Sequence, residues 1–138
     1  MVIKREGLTF IFDIDGTLAS KGYSNVSTGK LPPIRKTLKI ALAAQKSDRS
    51  KMVIITARPE SLREVTESWI KNLGLKPEFL LMRSSKDFRP DYEVRVDQIR
   101  KVMKALGKNV VLYDDKATNC KAVRKKLKIP VRLVKEND

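Results

Sequence analysis

The sequence predicts one α/β domain on a mainly parallel sheet, and three observations predict it. Five short apolar runs rich in β-branched residues fall at positions 8–12, 52–55, 79–82, 110–113 and 131–134. Each is too short for a core helix and suits a strand buried on both faces. The stretches between them carry apolar residues at steps of three or four, the mark of helices that bury one side. Finally, 138 residues supply one modest core and leave no room for a second catalytic domain, so 1–138 is read as a single domain.

The elements follow in order. Leu8–Phe12 opens the sheet. Pro32 and Pro33 precede a first helical stripe of Ile34, Leu38, Ala41 and Leu42. Met52–Ile55 is the second strand. Leu62, Val65, Trp69 and Leu73 form the second stripe, with Pro59 suited to that helix's first turn. Phe79–Met82 is the third strand. Val96, Ile99, Val102, Met103 and Leu106 make a third helix that Gly107 stops. Val110–Tyr113, a short helix through Cys120, Val123 and Leu127, and Val131–Val134 complete the chain. This alternation implies right-handed crossovers, a five-stranded Rossmann-like sheet with helices on both faces, and a ligand crevice at the carboxyl ends of the strands.

Segment 19–31 reads as a long loop. Its end faintly resembles a phosphate-binding loop, but Ser24 stands where the first glycine belongs and Leu31 where the hydroxyl belongs. A nucleoside-triphosphate site is rejected on those mismatches. Residues 18–51 must supply a loop and a helix, which leaves no sizeable cap domain.

Composition narrows the chemistry. The chain has no histidine and a single cysteine, Cys120, which excludes Ser-His-Asp and Cys-His catalysis, zinc sites of the usual type and an internal disulfide. Thirty Lys and Arg against 16 acids give a net charge of +14, favouring phosphate-bearing partners, although a solvated basic surface would show the same balance. No run approaches a membrane span and the N-terminus lacks a secretory pattern, so a cytoplasmic domain is expected.

The chemical signal lies at strand ends. Phe12-Asp13-Ile14-Asp15-Gly16-Thr17 places two carboxylates and a glycine where the first strand runs out. Buried acids there need a cation, donors or solvent, because an unpaired buried carboxylate costs several kcal/mol. Gly16 lets the backbone turn sharply. Thr56-Ala57-Arg58 and Asp114-Asp115-Lys116 repeat the theme after the second and fourth strands. Mg²⁺ prefers an oxygen shell of this kind. Asp13 and Asp114 offer carboxylates for it, and the Ile14 or Asp15 carbonyl could complete the shell. One carboxylate would attack phosphorus and the other would handle the proton.

These motifs resemble the haloacid dehalogenase superfamily of aspartyl-phosphate phosphatases, with DxDGT first, a strand-end Thr or Ser second and an acidic pair last. The resemblance implies Asp13 as nucleophile, Asp15 as general acid then base, Thr56 as a hydrogen-bond donor to phosphate, and Asp114 and Asp115 as Mg²⁺ ligands. More narrowly, FDIDGTLA, ITARPE and RPDYEVR are similar to the phosphatase domain of phage polynucleotide kinase-phosphatase. That similarity adds Arg58, Asp91 and Arg95 to the site, with Arg58 facing the phosphate and Arg95 clamping the transferred phosphoryl group and pairing Asp13. Each has a plainer reading: Arg58 as a helix cap, Asp91 as the N-cap of the third helix, Arg95 as one basic residue among many. The phage family has an arginine in the loop after its first motif, whereas this chain offers Lys21 and Lys30, point charges without a planar fork, so substrate preference does not carry over there.

The loop Arg83–Pro90 also opens onto the expected crevice. Lys86, Phe88 and Arg89 are candidates for holding a nucleotide's phosphate and base, with Phe88 alternatively covering a local apolar patch. The leading expectation is a Mg²⁺-dependent phosphomonoesterase acting on 3′-phosphate ends of DNA or RNA. A mononucleotide phosphatase, a noncatalytic nucleic-acid-binding module and a phospho-aspartate switch are the alternatives.

Overall fold

The computed structural model describes residues 7–21 and 30–135. Five strands, β1 (Leu8–Phe12), β2 (Ser50–Pro59), β3 (Leu80–Arg83), β4 (Val110–Asp114) and β5 (Val131–Leu133), form one sheet in the order β3-β2-β1-β4-β5. Every pairing is parallel. Four helices connect them: α1 (Arg35–Lys46), α2 (Arg63–Asn72), α3 (Asp91–Leu106) and α4 (Ala117–Leu127). The predicted fold class is therefore the observed one. No helix among the described residues is long and apolar enough to cross a membrane.

Parallel strands need crossovers, and the crossovers bury both faces of the sheet. On one face Ile11, Val53, Ile55, Val110 and Leu112 pack with Val96, Ile99, Val102 and Val123 of α3 and α4. On the other, Phe12, Ile14, Met52 and Ile54 pack with Ala41 and Ala44 of α1 and with Trp69 and Ile70 of α2. The alternation of Ile11 and Phe12 between these cores is the strand's two-residue period expressed as packing. Fully burying such side chains contributes about 1.5–3 kcal/mol apiece, which clamps β1 at the centre and fixes where its last residues emerge. Trp69 satisfies its indole N–H by donating to the Leu31 carbonyl at 2.8 Å.

The element boundaries differ at instructive places. β2 runs on through Thr56, Ala57 and Arg58 to Pro59, past the apolar run, with a register shift against β3 between Ile55 and Pro59. Pro59 therefore ends a strand and does not start α2; a 3₁₀ turn, Glu60–Leu62, intervenes. The buried face of α2 is Thr66, Trp69 and Ile70, turned from the predicted stripe so that Val65 is only half-buried. Gly107 stops α3 as expected, at a φ of 102° that a glycine tolerates. Most of the long loop expected at 19–31 lies outside the described residues, and among those described no lid forms between β1 and β2.

Candidate active site

β1, β2 and β4 end side by side, and their carboxyl ends bring the sequence motifs together. A cavity of about 320 Å³ opens there, lined by Asp13, Asp15, Thr56, Arg58, Asp91, Arg95 and Asp115 among others. A larger cavity of about 820 Å³ between α1 and the sheet is lined by Leu8, Phe10, Ile40, Tyr113 and Arg132 among others, with no carboxylate among the described residues that line it. The acidic groups converge on the smaller one.

Asp13 leaves β1 with its backbone N–H donating to the Tyr113 carbonyl at 3.0 Å, so the ends of β1 and β4 are tied together. One oxygen from each of Asp13, Asp114 and Asp115 lies within 4.8 Å of the other two. Arg95, reaching from α3, is the cation buried against them: Nη2 donates to Asp13 Oδ1 at 2.8 Å, and Nε lies 3.1 Å from Asp114 Oδ2 in an ion pair without hydrogen-bond alignment. Its side chain is 2% exposed. Gln98 steadies this arginine, accepting from Nη1 at 3.4 Å while its own amide donates to the Thr56 carbonyl at 2.9 Å.

Two cations, the buried Arg95 and the exposed Lys21 on Asp115, do not balance three carboxylates. Burial pushes the Asp13 carboxyl well above the usual carboxylate range, with Arg95 pulling it down and Asp114 and Asp115 pushing it further up. Burial likewise raises Asp114, against the pull of Arg95 and of the Lys116 N–H that donates to Asp114 Oδ1 at 2.9 Å. Asn119 donates to Asp114 Oδ2 at 3.3 Å and leaves its own Oδ1 buried without a partner. An all-oxygen donor set with surplus negative charge and an orphaned amide oxygen fits a hard divalent cation such as Mg²⁺.

Asp15 does not bring its side-chain carboxylate to that group. Arg58 holds its carboxylate in a two-pronged pair, Nε to Oδ2 at 2.9 Å and Nη2 to Oδ1 at 2.8 Å, and sends Nη1 to the Thr66 hydroxyl at 3.1 Å. Arg58, expected to face a phosphate directly, is instead 6% exposed and works on Asp15. The Ile14 carbonyl is also unsuited as a metal ligand, since it accepts the N–H groups of Thr17, Leu18 and Ala19 at 2.8–3.0 Å and so closes the turn after β1. That turn depends on Gly16: its φ is +86°, and a Cβ there would sit 2.1 Å from Asp115 Oδ2. Gly16 thus makes room for the third carboxylate.

The peripheral candidates separate into two groups. Lys21 reaches the site, donating to Asp115 Oδ2 at 3.1 Å, and Thr17 donates to Asp115 Oδ1 at 3.4 Å. Asp91 also reaches it, but not as an N-cap. Pro90 holds that position, and the Asp91 carboxylate bridges Arg83 at 2.5 Å and Lys116 at 2.7 Å. Lys30, Lys86, Phe88 and Arg89 do not line the cavity. Arg89 is committed to ion pairs with Asp87 and Asp97.

Sequence reasoning missed Lys116, Asn119 and Gln98. Lys116 had a signal, a cation directly after the acidic pair. Gln98 lies one turn after Arg95 on the buried side of α3, a polar residue in an apolar stripe. Asn119 likewise sits within the short stripe of α4, beside Cys120.

A family model for the polynucleotide kinase PNKP phosphatase domain matches residues 8–138. The chain belongs to this HAD-type phosphatase-domain family. The family assignment implies a phosphoric monoester hydrolase, and HAD phosphatases typically use Mg²⁺, for which the acidic cluster offers a candidate site. Among solved structures, a chain of the Pnkp1/Rnl/Hen1 complex superposes with a TM-score of 0.79 at 23% identity over 94% of this chain and 46% of that one. A chain of the Pnkp1/Rnl/Hen1 RNA repair complex gives 0.78 at 22% identity, covering 92% and 42%. A HAD-like protein from Mesorhizobium loti gives 0.71 at 14% identity, covering 94% and 72%. The present chain thus spans less than half the length of the Pnkp1/Rnl/Hen1 chains it matches, and at these identities the likeness is one of fold. No curated protein matches the sequence.

Proposed function

We propose that this PNKP-type domain, acting as one unit over residues 1–138, is a Mg²⁺-dependent phosphomonoesterase that removes terminal phosphates, above all 3′-phosphates, from DNA or RNA through an aspartyl-phosphate on Asp13. The observation that carries the reading is the division of carboxylates: Asp13, Asp114 and Asp115 converge, whereas Asp15 is held apart by Arg58. A nucleophile and a proton carrier need such different surroundings.

Asp13, Asp114 and Asp115 would hold the cation, which supplies charge neutralisation that lets a carboxylate approach a phosphate dianion. Arg95 orients Asp13. The Asp13 oxygen attacks phosphorus as the ester P–O bond breaks, and Asp15 gives the departing oxygen a proton. The Asp15 carboxylate then takes a proton from water, whose oxygen attacks phosphorus, releasing inorganic phosphate and restoring Asp13. Thr56 and Lys116, both lining the cavity, contribute donors to the phosphoryl oxygens. Arg58 positions Asp15 for both proton transfers. A cytoplasmic setting and substrates shared with a nucleic-acid repair pathway fit this reading, as do the open cavity and the +14 charge. A mononucleotide phosphatase is the second reading, favoured by the small volume of the cavity.

The test is phosphate release from 3′-phosphorylated, 5′-phosphorylated and mononucleotide substrates and a sugar phosphate, with and without chelator, for wild type and Asp13→Asn. The 3′-phosphorylated oligonucleotide is expected to give the highest kcat/KM, and Asp13→Asn and chelator to abolish turnover. Full activity in Asp13→Asn would overturn the mechanism, and preference for a mononucleotide would replace the substrate.

A further inference from the structure

Phe88 is 89% exposed, far more than the other large exposed apolar residues, Phe79, Tyr92 and Leu133, which lie at 36–41%. Its ring joins neither core, so it does not cover a local apolar patch. Yet the loop that presents it is tightly held. Arg83 Nη1 donates to the carbonyls on either side of Phe88, Asp87 at 2.9 Å and Arg89 at 2.7 Å. The Asp87 carboxylate accepts the Arg89 N–H at 3.1 Å and pairs with its guanidinium, which continues to Asp97 on α3. Hydrogen bonding from Arg89 holds the Asp87 carboxyl down to about 2, so this brace persists across the neutral range.

The brace connects to the site. The same Arg83 guanidinium binds Asp91 through Nη2, and Asp91 binds Lys116; both of these residues line the acidic cavity. A loop whose backbone is fixed to the cavity wall presents a flat apolar side chain to solvent, so the backbone needs little ordering on binding. Aromatic faces stack on nucleic-acid bases of any identity.

We infer that Phe88, on a loop that Arg83 ties to the cavity wall, is a stacking platform for a base of a single-stranded nucleic-acid end whose terminal phosphate enters the cavity. The inference rests on the phosphatase reading for the placement of the terminal phosphate, and on the loop's own geometry for the stacking. It makes the base next to the scissile phosphate, or one beyond it, a determinant of affinity. A mononucleotide offers the same base chemistry without the following strand.

The experiment compares wild type, Phe88→Ala and Phe88→Trp on a 3′-phosphorylated single-stranded oligonucleotide, the matching mononucleotide and glycerol phosphate, which has no ring to stack. Phe88→Ala is expected to lower kcat/KM for the oligonucleotide about ten-fold, through KM, as for the loss of one base–aromatic stack, while leaving glycerol phosphate unchanged. Phe88→Trp is expected to retain activity. Because Trp69 is the chain's only tryptophan and is buried, the exposed indole introduced by Phe88→Trp can be followed separately, and the oligonucleotide should quench its emission. Equal losses on oligonucleotide and glycerol phosphate, no loss in Phe88→Ala, or an unquenched indole would each overturn the platform. A stronger effect on the mononucleotide than on the oligonucleotide would overturn the polynucleotide assignment. Should wild type hydrolyse none of these, the phosphatase reading fails, and the quench titration still decides whether the platform binds bases.

Discussion

Replacing Arg95 with methionine removes the cation that Asp13 and Asp114 share while keeping most of the side chain's volume. The pairs are 2.8 and 3.1 Å long, and the arginine side chain is 2% exposed. Breaking a buried pair by deleting one partner costs about 3–5 kcal/mol, because the remaining charge is stranded in a poor solvent. At about 2.1 cal/mol/K of unfolding entropy per residue, a chain of this length shifts its midpoint by roughly 3.5 °C per kcal/mol, so the metal-free variant should melt about 10–17 °C below wild type near neutral pH. The sign of the pH dependence follows from Asp13 and Asp114, whose carboxyls are raised in the folded chain by burial above an unfolded value of 3.8. A folded state that keeps protons the unfolded chain releases is favoured below the unfolded value and loses ground as pH rises through the folded one. Without Arg95 these carboxyls rise further, so the gap to wild type should be wide at high pH and narrow toward about pH 4. Mg²⁺ should restore part of the loss. Melting scans over pH, with and without Mg²⁺, provide the check; a gap of a few degrees that ignores both pH and Mg²⁺ would refute the idea that Arg95 compensates buried charge.

Three further outcomes follow from the same geometry. Gly16→Ala forces a Cβ against Asp115 and strains a positive φ, so it should weaken Mg²⁺ binding by isothermal titration more than it lowers the melting temperature; unchanged Mg²⁺ affinity would remove Asp115 from the site. Asp15→Asn should slow turnover about 10²–10⁴-fold, least in the first step for substrates with good leaving groups, and single-turnover kinetics that show equal slowing for all leaving groups would contradict its role as proton carrier. Cys120, buried, with burial pushing its thiol up to about 11, should resist alkylation at mildly alkaline pH until the chain unfolds, and rapid labelling of native protein would show that α4 opens.

Much of this site was legible because its chemistry sits at strand ends. Asp13, Asp15, Asp114 and Asp115 each follow an apolar run, and the sheet order brings β1, β2 and β4 together, so acids at the ends of separate strands converge. What stayed hidden is the partner of Arg58. Asp13 and Arg95 are 82 positions apart and Asp15 and Arg58 are 43 apart, and local pattern alone says nothing of which arginine serves which acid. The family resemblance implies the Arg95–Asp13 pair, which the structure contains, whereas Arg58, expected at phosphate, is committed to Asp15. β2 was read too short because Thr56, Ala57 and Arg58 break the apolar run, though backbone pairing carries the strand on to Pro59. Asp91 looked like a cap because it follows a proline and opens a helix; two cations from other elements claim it instead.

The proposed mechanism turns on Asp13 as the carrier of the phosphoryl group. The most direct measurement is acid quenching of the enzyme during turnover of a phosphate monoester with Mg²⁺ present, followed by borohydride reduction and peptide mass spectrometry. An acyl phosphate on Asp13 is reduced at its carboxyl carbon, so homoserine is expected in place of aspartate at position 13, dependent on substrate and Mg²⁺ and enriched in Asp15→Asn with a good leaving group. Turnover that proceeds with Asp13 unmodified, or a phosphoryl group trapped on another residue, would contradict it.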